Sequence, residues 1–304
     1  FDYFIPDAIK TNQEDKINIW EFIGGEPFME IGLLEEITDY MTFKYKEFNI
    51  NPKKNVLSFT TNGTLFTPRV KNYLMKTVNL MGVSVGLSID GVKEIHDYNR
   101  SNSFDSVMKN YWWWRRNFPR NTIKSTLNHE AIPYLFDSVK FFIEKLKLQD
   151  IFMNTIFENV WQDNDPDLYK QQLVKVADYL LENDRYTKVF LSLFDPVLLA
   201  DPDNLSKSWC GCGNSMMAVD SDGKLYPCLR FRTLSNQPYW ECGNIKDGIE
   251  KTGVVSLENI RKVIIDIRNS KLPDPKDVPN AGSFFKNPVI ANIKAEKLKK
   301  KWPN

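Results

Sequence analysis

Three short polar clusters carry residue types that can hold a small ligand. They are Gly24-Gly25-Glu26-Pro27, Thr60-Thr61-Asn62-Gly63-Thr64 and Ser88-Ile89-Asp90-Gly91. Adjacent glycines let a backbone come within hydrogen-bond reach of a ligand, because no Cβ stands in the way. Ser88 and Asp90 are two apart, so on a strand both side chains fall on one side. A hydroxyl and a carboxylate placed together can hold the vicinal hydroxyls of a ribose, with the carboxylate accepting both hydrogen bonds. Thr61 and Asn62 are further candidates in the second cluster. Downstream, the planar fork of Arg100 suits the carboxylate of an amino-acid moiety. His96 and His129 each lack a second His or Cys nearby, and both read as hydrogen-bonded structural residues rather than metal ligands.

A different chemistry is suggested late in the chain, where Cys210, Cys212, Cys228 and Cys242 are the only cysteines. Disulfide-stapled secreted domains are shorter and richer in cysteine, so this cluster argues for metal binding in a reducing, cytoplasmic compartment. Ala218-Val219-Asp220, then Ser221-Asp222-Gly223, then Lys224-Leu225-Tyr226 reads as a β-hairpin with Asp-Gly at its tip. Cys228 and either Cys210 or Cys212 would face each other at its feet, a setting suited to an iron–sulfur cluster or zinc. Cys242 is a further candidate ligand, and Cys212 and Cys242 also suit the alternative of buried free thiols.

These clusters need strands to aim them. Ile17–Ile23, Val56–Thr60, Val83–Ile89, Thr122–Leu127 and Ile151–Phe157 are strand-like apolar runs, and the first ends abruptly in the glycine pair. Helical period appears between them, as Leu33, Ile37, Tyr40 and Met41, then Leu135, Val139, Phe142, Ile143 and Leu146, then Leu168, Leu173, Val176 and Leu180. Alternating strands and helices mean βαβ units and a parallel sheet with right-handed crossovers. Five visible strands are too few for a closed eight-stranded barrel. The expected class is therefore α/β, a partial (β/α)6 parallel barrel over residues 1–200, with ligands at the carboxyl ends of its strands. A small cysteine-bearing β-hairpin extension would occupy 201–250, and an α+β fragment 251–304.

Composition excludes some partners. The 304 residues carry 40 Lys+Arg against 39 Asp+Glu, a net charge of +1 that offers no footprint for nucleic acid. No apolar run is long enough to span a bilayer, so no membrane partner is expected. The aromatic run Tyr111-Trp112-Trp113-Trp114 would point its rings around a helix axis, which favours core and rim packing over a stacking platform.

Taken together, GGEP, TTNGT, SIDG and HDxxR, in this order and spacing, resemble the radical S-adenosylmethionine enzymes with a SPASM or twitch extension. That group includes sulfatase-maturing enzymes and peptide maturases that form thioether crosslinks. The resemblance covers roughly residues 15–250. It implies that Gly24, Gly25 and Glu26 receive the methionine amino group of S-adenosylmethionine, that Ser88 and Asp90 hold its ribose, and that Arg100 lies near its carboxylate. It further implies a [4Fe-4S] cluster that reduces the cofactor. A 5′-deoxyadenosyl radical would then take hydrogen from a side chain of a peptide or protein substrate. An electron donor such as flavodoxin or ferredoxin would be a partner. Cys210, Cys212, Cys228 and Cys242 would hold at most one auxiliary [4Fe-4S] cluster. The family's CxxxCxxC loop is not in this sequence, and the resemblance implies that it and one strand lie upstream of Phe1. A catalytically inactive, leader-binding scaffold is the alternative, separated from the enzyme by a cysteine triad upstream.

After about Gly248 the character changes. DIRNSKLPDPKDVPNAGSFFKNPVI closely resembles the segment of UDP-N-acetylenolpyruvoylglucosamine reductase, a cell-wall flavoenzyme, that carries its catalytic serine. The match would make Ser283 a proton donor, but with no flavin domain beside it no reductase activity is expected. A fusion, a chimera and a misassembled reading frame remain open.

Overall fold

A computed structural model describes residues 8–9, 13–14, 16–156, 158, 160–195, 212, 216–233 and 241–245. The chain divides into two compact units, Phe1–Leu199 and Ala200–Asn304. Cys210 and the tail with Ser283 lie outside the described residues.

The first unit is a six-stranded parallel sheet whose strand order follows the chain. Its strands are β1 (Asn18–Phe22), β2 (Asn55–Thr61), β3 (Gly82–Ser88), β4 (Ile123–Leu127), β5 (Asp150–Thr155) and β6 (Phe190–Leu191). The helices between them are α1 (Ile31–Glu47), α2 (Pro68–Leu80), α3 (Lys93–Asn99), α4 (Phe104–Asn117), α5 (Leu135–Glu144) and α6 (Asp165–Glu182). The expectation of alternating strands and helices in a parallel sheet therefore holds. β6 is the strand the sequence reading missed. Only two residues long, it shows no alternation, and it pairs with β5 through Asp150↔Phe190 and Ile151↔Leu191.

Start signals are local. Thr67 caps α2 by accepting from the Val70 amide, with Pro68 at the first helical position, where its missing N–H costs nothing. Asn128 similarly accepts from the Ala131 amide at the head of the turn after β4. The core lies between the helices and one face of the sheet, where Leu57, Phe59, Val85, Leu87, Ile123 and Ile151 are fully buried. The stripe Leu135, Val139, Phe142, Ile143 and Leu146 packs there as expected. On α1 the expected stripe is displaced, because Leu34, Thr38, Met41 and Tyr45 are buried whereas Leu33 and Tyr40 are exposed. Thr38 can sit inside because its hydroxyl bonds to the Leu34 carbonyl and to the Tyr73 hydroxyl, both at 2.8 Å. The tryptophans of α4 fan around its axis as the helical reading requires. Trp114 is buried and donates to the Val85 carbonyl at 2.8 Å, and Trp112 is exposed.

Among the described residues, no helix covers the other face of the sheet in this way. Ile19, Glu21, Lys124, Phe152 and Phe190 alternate with the buried positions and remain exposed or half-exposed. Parallel sheets are normally covered on both faces. An exposed sheet face at the strands' carboxyl ends is where such a fold has room for a ligand.

The second unit contributes β7 (Ala218–Val219), β8 (Lys224–Tyr226), the short helix α7 (Leu229–Thr233) and β9 (Gly243–Asn244). β7 and β8 pair antiparallel, and β9 pairs antiparallel with β8 on its far side. Asp220 closes the hairpin by accepting from the amides of Asp222 at 3.0 Å and Lys224 at 2.9 Å, and Gly223 supplies the left-handed residue (φ +83°).

Candidate active site at the carboxyl ends of the strands

β1 ends in Gly24-Gly25, and Gly24 takes φ +139°, in the region that favours glycine. A Cβ added at either glycine would meet no atom within 4 Å, so the loop stands open. Glu26 then folds back. Its Oε1 accepts from the Phe28 amide (3.2 Å) and the Thr61 hydroxyl (2.8 Å), and its Oε2 from the Asn62 amide (2.8 Å). Thus the first and second clusters are one unit, with Thr61 and Asn62 holding Glu26 in place. A carboxylate has about four acceptor sites, and three are used, which leaves one for a ligand ammonium beside the open glycines.

The third cluster is divided between two roles. Ser88 lies on the uncovered face, 5% exposed, and its hydroxyl has no hydrogen-bond partner among the described residues. Asp90, 2% exposed, is fully committed. It accepts from Arg100 Nε (2.7 Å) and Nη2 (3.0 Å), the Thr126 amide (2.9 Å) and Asn99 Nδ2 (3.4 Å). These four donors occupy its acceptor sites. The fork of Arg100, expected to lie near a ligand carboxylate, meets Asp90 in this structure. Asn99, Asn128, Thr126 and Ile156 line a 280 Å³ pocket beside this pair.

His96 is structural, as expected. It is fully buried, its Nδ1 accepts from the Asp90 amide, and its Nε2 pairs with the Ser103 hydroxyl at 3.1 Å. Burial holds its imidazole below the usual histidine range, which keeps it neutral. His129 meets a partner that spacing did not reveal, Asp165, at 2.7 Å. Asp165 also accepts from the Gln162 amide at the head of α6.

One residue of the site escaped sequence reasoning. Lys124, on the uncovered face of β4, passes over Gly86, whose missing Cβ would stand 3.3 Å from Lys124 Cε. Its ammonium reaches Thr60 Oγ1 at 2.8 Å and Glu21 Oε1 at 3.1 Å. The signal was a lysine within an apolar strand, two residues before Thr126.

The cysteines do not converge among the described residues, where no three His, Cys, Asp or Glu side chains gather as a metal site. Burial, with a smaller contribution from Glu241, pushes the Cys242 thiol up to about 11.

No family model matches the chain. The chain can instead be compared with solved structures. "Native anSMEcpe with bound AdoMet" covers 82% of this chain and 69% of its own, with a TM-score of 0.58 and 23% identity. The chain shares its fold. "Native anSMEcpe with bound AdoMet and Kp18Cys peptide" aligns with a TM-score of 0.58 at 22% identity. By sequence, the chain matches UDP-N-acetylenolpyruvoylglucosamine reductase from Idiomarina loihiensis at 52% over 52 residues, 17% of this chain and 16% of that protein. The reductase from Pseudomonas aeruginosa matches at 34% over 97 residues, 31% of this chain and 29% of the relative. The chain thus spans less than a third of the length of these relatives. No described helix is long and apolar enough to cross a membrane.

Proposed function

We propose that this chain is a radical S-adenosylmethionine enzyme that modifies a side chain of a peptide or protein. The observation that carries this reading is the opening at Gly24-Gly25, beside Glu26 with one acceptor site in reserve and facing a sheet surface that bears the unpartnered Ser88 hydroxyl. S-adenosylmethionine held by these residues would, given an electron from an external one-electron donor, supply hydrogen-abstraction chemistry toward a substrate side chain. The residues of this chain bind and orient. The glycine carbonyls and Glu26 take the ammonium, and Ser88 offers a hydroxyl to the ribose. Asp90 acts one layer out, tying Arg100 to the Thr126 backbone. A bound peptide in one structure of the same fold supports a peptide substrate.

The reductase similarity supports a second, narrower reading, in which a segment resembling part of a cell-wall flavoenzyme is joined to this fold. Titration calorimetry with S-adenosylmethionine tests the main proposal. Saturable binding tighter than about 1 mM is expected, some 4 kcal/mol. No heat at higher concentration, with the protein folded, would refute it.

A further inference from the structure

We infer that His129 is a proton acceptor for the bound substrate, positioned by Asp165; the inference rests on the reading above, that this site modifies a side chain of a peptide or protein. The two residues stand at the edge of the pocket beside Arg100. Asn128, which lines that pocket, is the residue before His129. Ile156 lines it from the β5 side, and its carbonyl accepts from the Trp161 indole at 3.3 Å. The next residue, Gln162, gives its amide to Asp165 Oδ2 at 2.7 Å. Each member of the pair is thus tied through its own loop to a wall of the pocket.

The chain has two histidines, and their partners give them opposite forms. His96 is fully buried and uses both ring nitrogens. Its Nδ1 accepts from the Asp90 amide, so the neutral ring carries its proton on Nε2. His129 meets a carboxylate instead. An ionised carboxylate only accepts, so Nδ1 donates to Asp165 Oδ1 at 2.7 Å and the neutral ring keeps a lone pair on Nε2. That nitrogen has no hydrogen-bond partner among the described residues, and the side chain is 26% exposed. His96 is what a structural histidine looks like in this fold, and His129 departs from it at the nitrogen that can act as a base. Asp165 keeps its charge. Burial works against ionisation, but the Gln162 amide and then His129 outweigh it and hold the carboxyl below the usual carboxylate range. Its place in the first turn of α6 also favours an anion. A substrate hydroxyl or thiol brought to Nε2 gives up its proton, and the bonding pair stays on the oxygen or sulfur. The Asp165 carboxylate stabilises the imidazolium that forms.

The test reads the ring nitrogens of the full chain directly. Long-range proton–nitrogen NMR correlations, recorded where both rings are neutral and assigned with His129→Gln, should show His129 protonated on Nδ1 and His96 on Nε2. Diethyl pyrocarbonate, which acylates a free imidazole nitrogen, should modify His129 and spare His96. Saturating S-adenosylmethionine should slow that modification several-fold, because the ring stands at the edge of the pocket. In Asp165→Asn the Gln162 amide still claims the oxygen, so the new NH2 faces Nδ1 and should switch the ring to the Nε2–H form. Its acylation should then fall, an effect that loss of a merely structural tie would not produce. Circular dichroism checks that this variant is folded, and the wild-type spectrum and protection stand without it. A wild-type His129 protonated on Nε2, or acylation undiminished by calorimetrically bound S-adenosylmethionine, would overturn the assignment and leave the cofactor reading standing. Absence of S-adenosylmethionine binding to the wild type would remove both.

Discussion

Replacing Asp90 by Ala should damage stability before it damages anything else. The carboxylate is 2% exposed and accepts from Arg100 twice, from the Thr126 amide and from Asn99. Truncation strands the Thr126 amide, at about 1–3 kcal/mol for a buried unsatisfied donor. It also breaks a buried ion pair, usually about 3–5 kcal/mol. The Arg100 side chain retains 27% exposure and can rehydrate, so the low end applies to that part. The two losses overlap, and together they come to about 3 kcal/mol. For a unit of this size that lowers the melting midpoint by about 6–12 °C. Asp90→Asn keeps an acceptor for Thr126 and should lose about half as much. Thermal melts followed by circular dichroism at fixed salt measure both. If Asp90→Ala melted within about 1 °C of the wild type while losing affinity for a nucleoside, the carboxylate would be a ribose ligand and the assignment made here would fail.

Gly91→Ala should cost about 3 kcal/mol, because φ is +147° and the new Cβ would stand 2.2 Å from Ser138 Oγ; a urea midpoint unchanged from wild type contradicts this. His96 stays neutral when folded, since burial holds it below its ordinary 6.5. Its contribution is therefore complete above about pH 6.5 and declines below that as the unfolded chain gains the proton first; His96→Gln should flatten the acid limb of stability against pH, and an identical slope argues against it. Burial should make Cys242 slow to alkylate at pH 8, its thiol being pushed up to about 11; iodoacetamide labelling as fast as that of the unfolded chain would show otherwise.

The glycine and proline punctuation after β1, β2 and β3 was enough to read where those strands end, because those residues fix backbone conformation locally. Partnership was less legible. Parity put Ser88 and Asp90 on one side, yet the donors that fill Asp90 come from Arg100, ten residues on, and the Thr126 amide, thirty-six residues on, and spacing does not encode either. The shift of the α1 stripe has a similar origin. Thr38 is polar by type but satisfied by Tyr73 of α2, so burial there depended on a neighbour thirty-five residues away. Lys124 was not singled out by its sequence context, and its reach to Glu21 of β1 passes over Gly86 on the adjacent strand.

The sheet's strand order has a consequence for how the chain is made. Each strand ladders only with its predecessor and successor in sequence. During synthesis β1, β2 and β3 can therefore assemble while β4 is still within the ribosome, and no early strand waits for a distant partner. Opening should run the other way. β6 joins through two register pairs against five or six in the β1–β2 and β2–β3 ladders, so amide exchange ought to begin there and reach the strands under the glycine loop last.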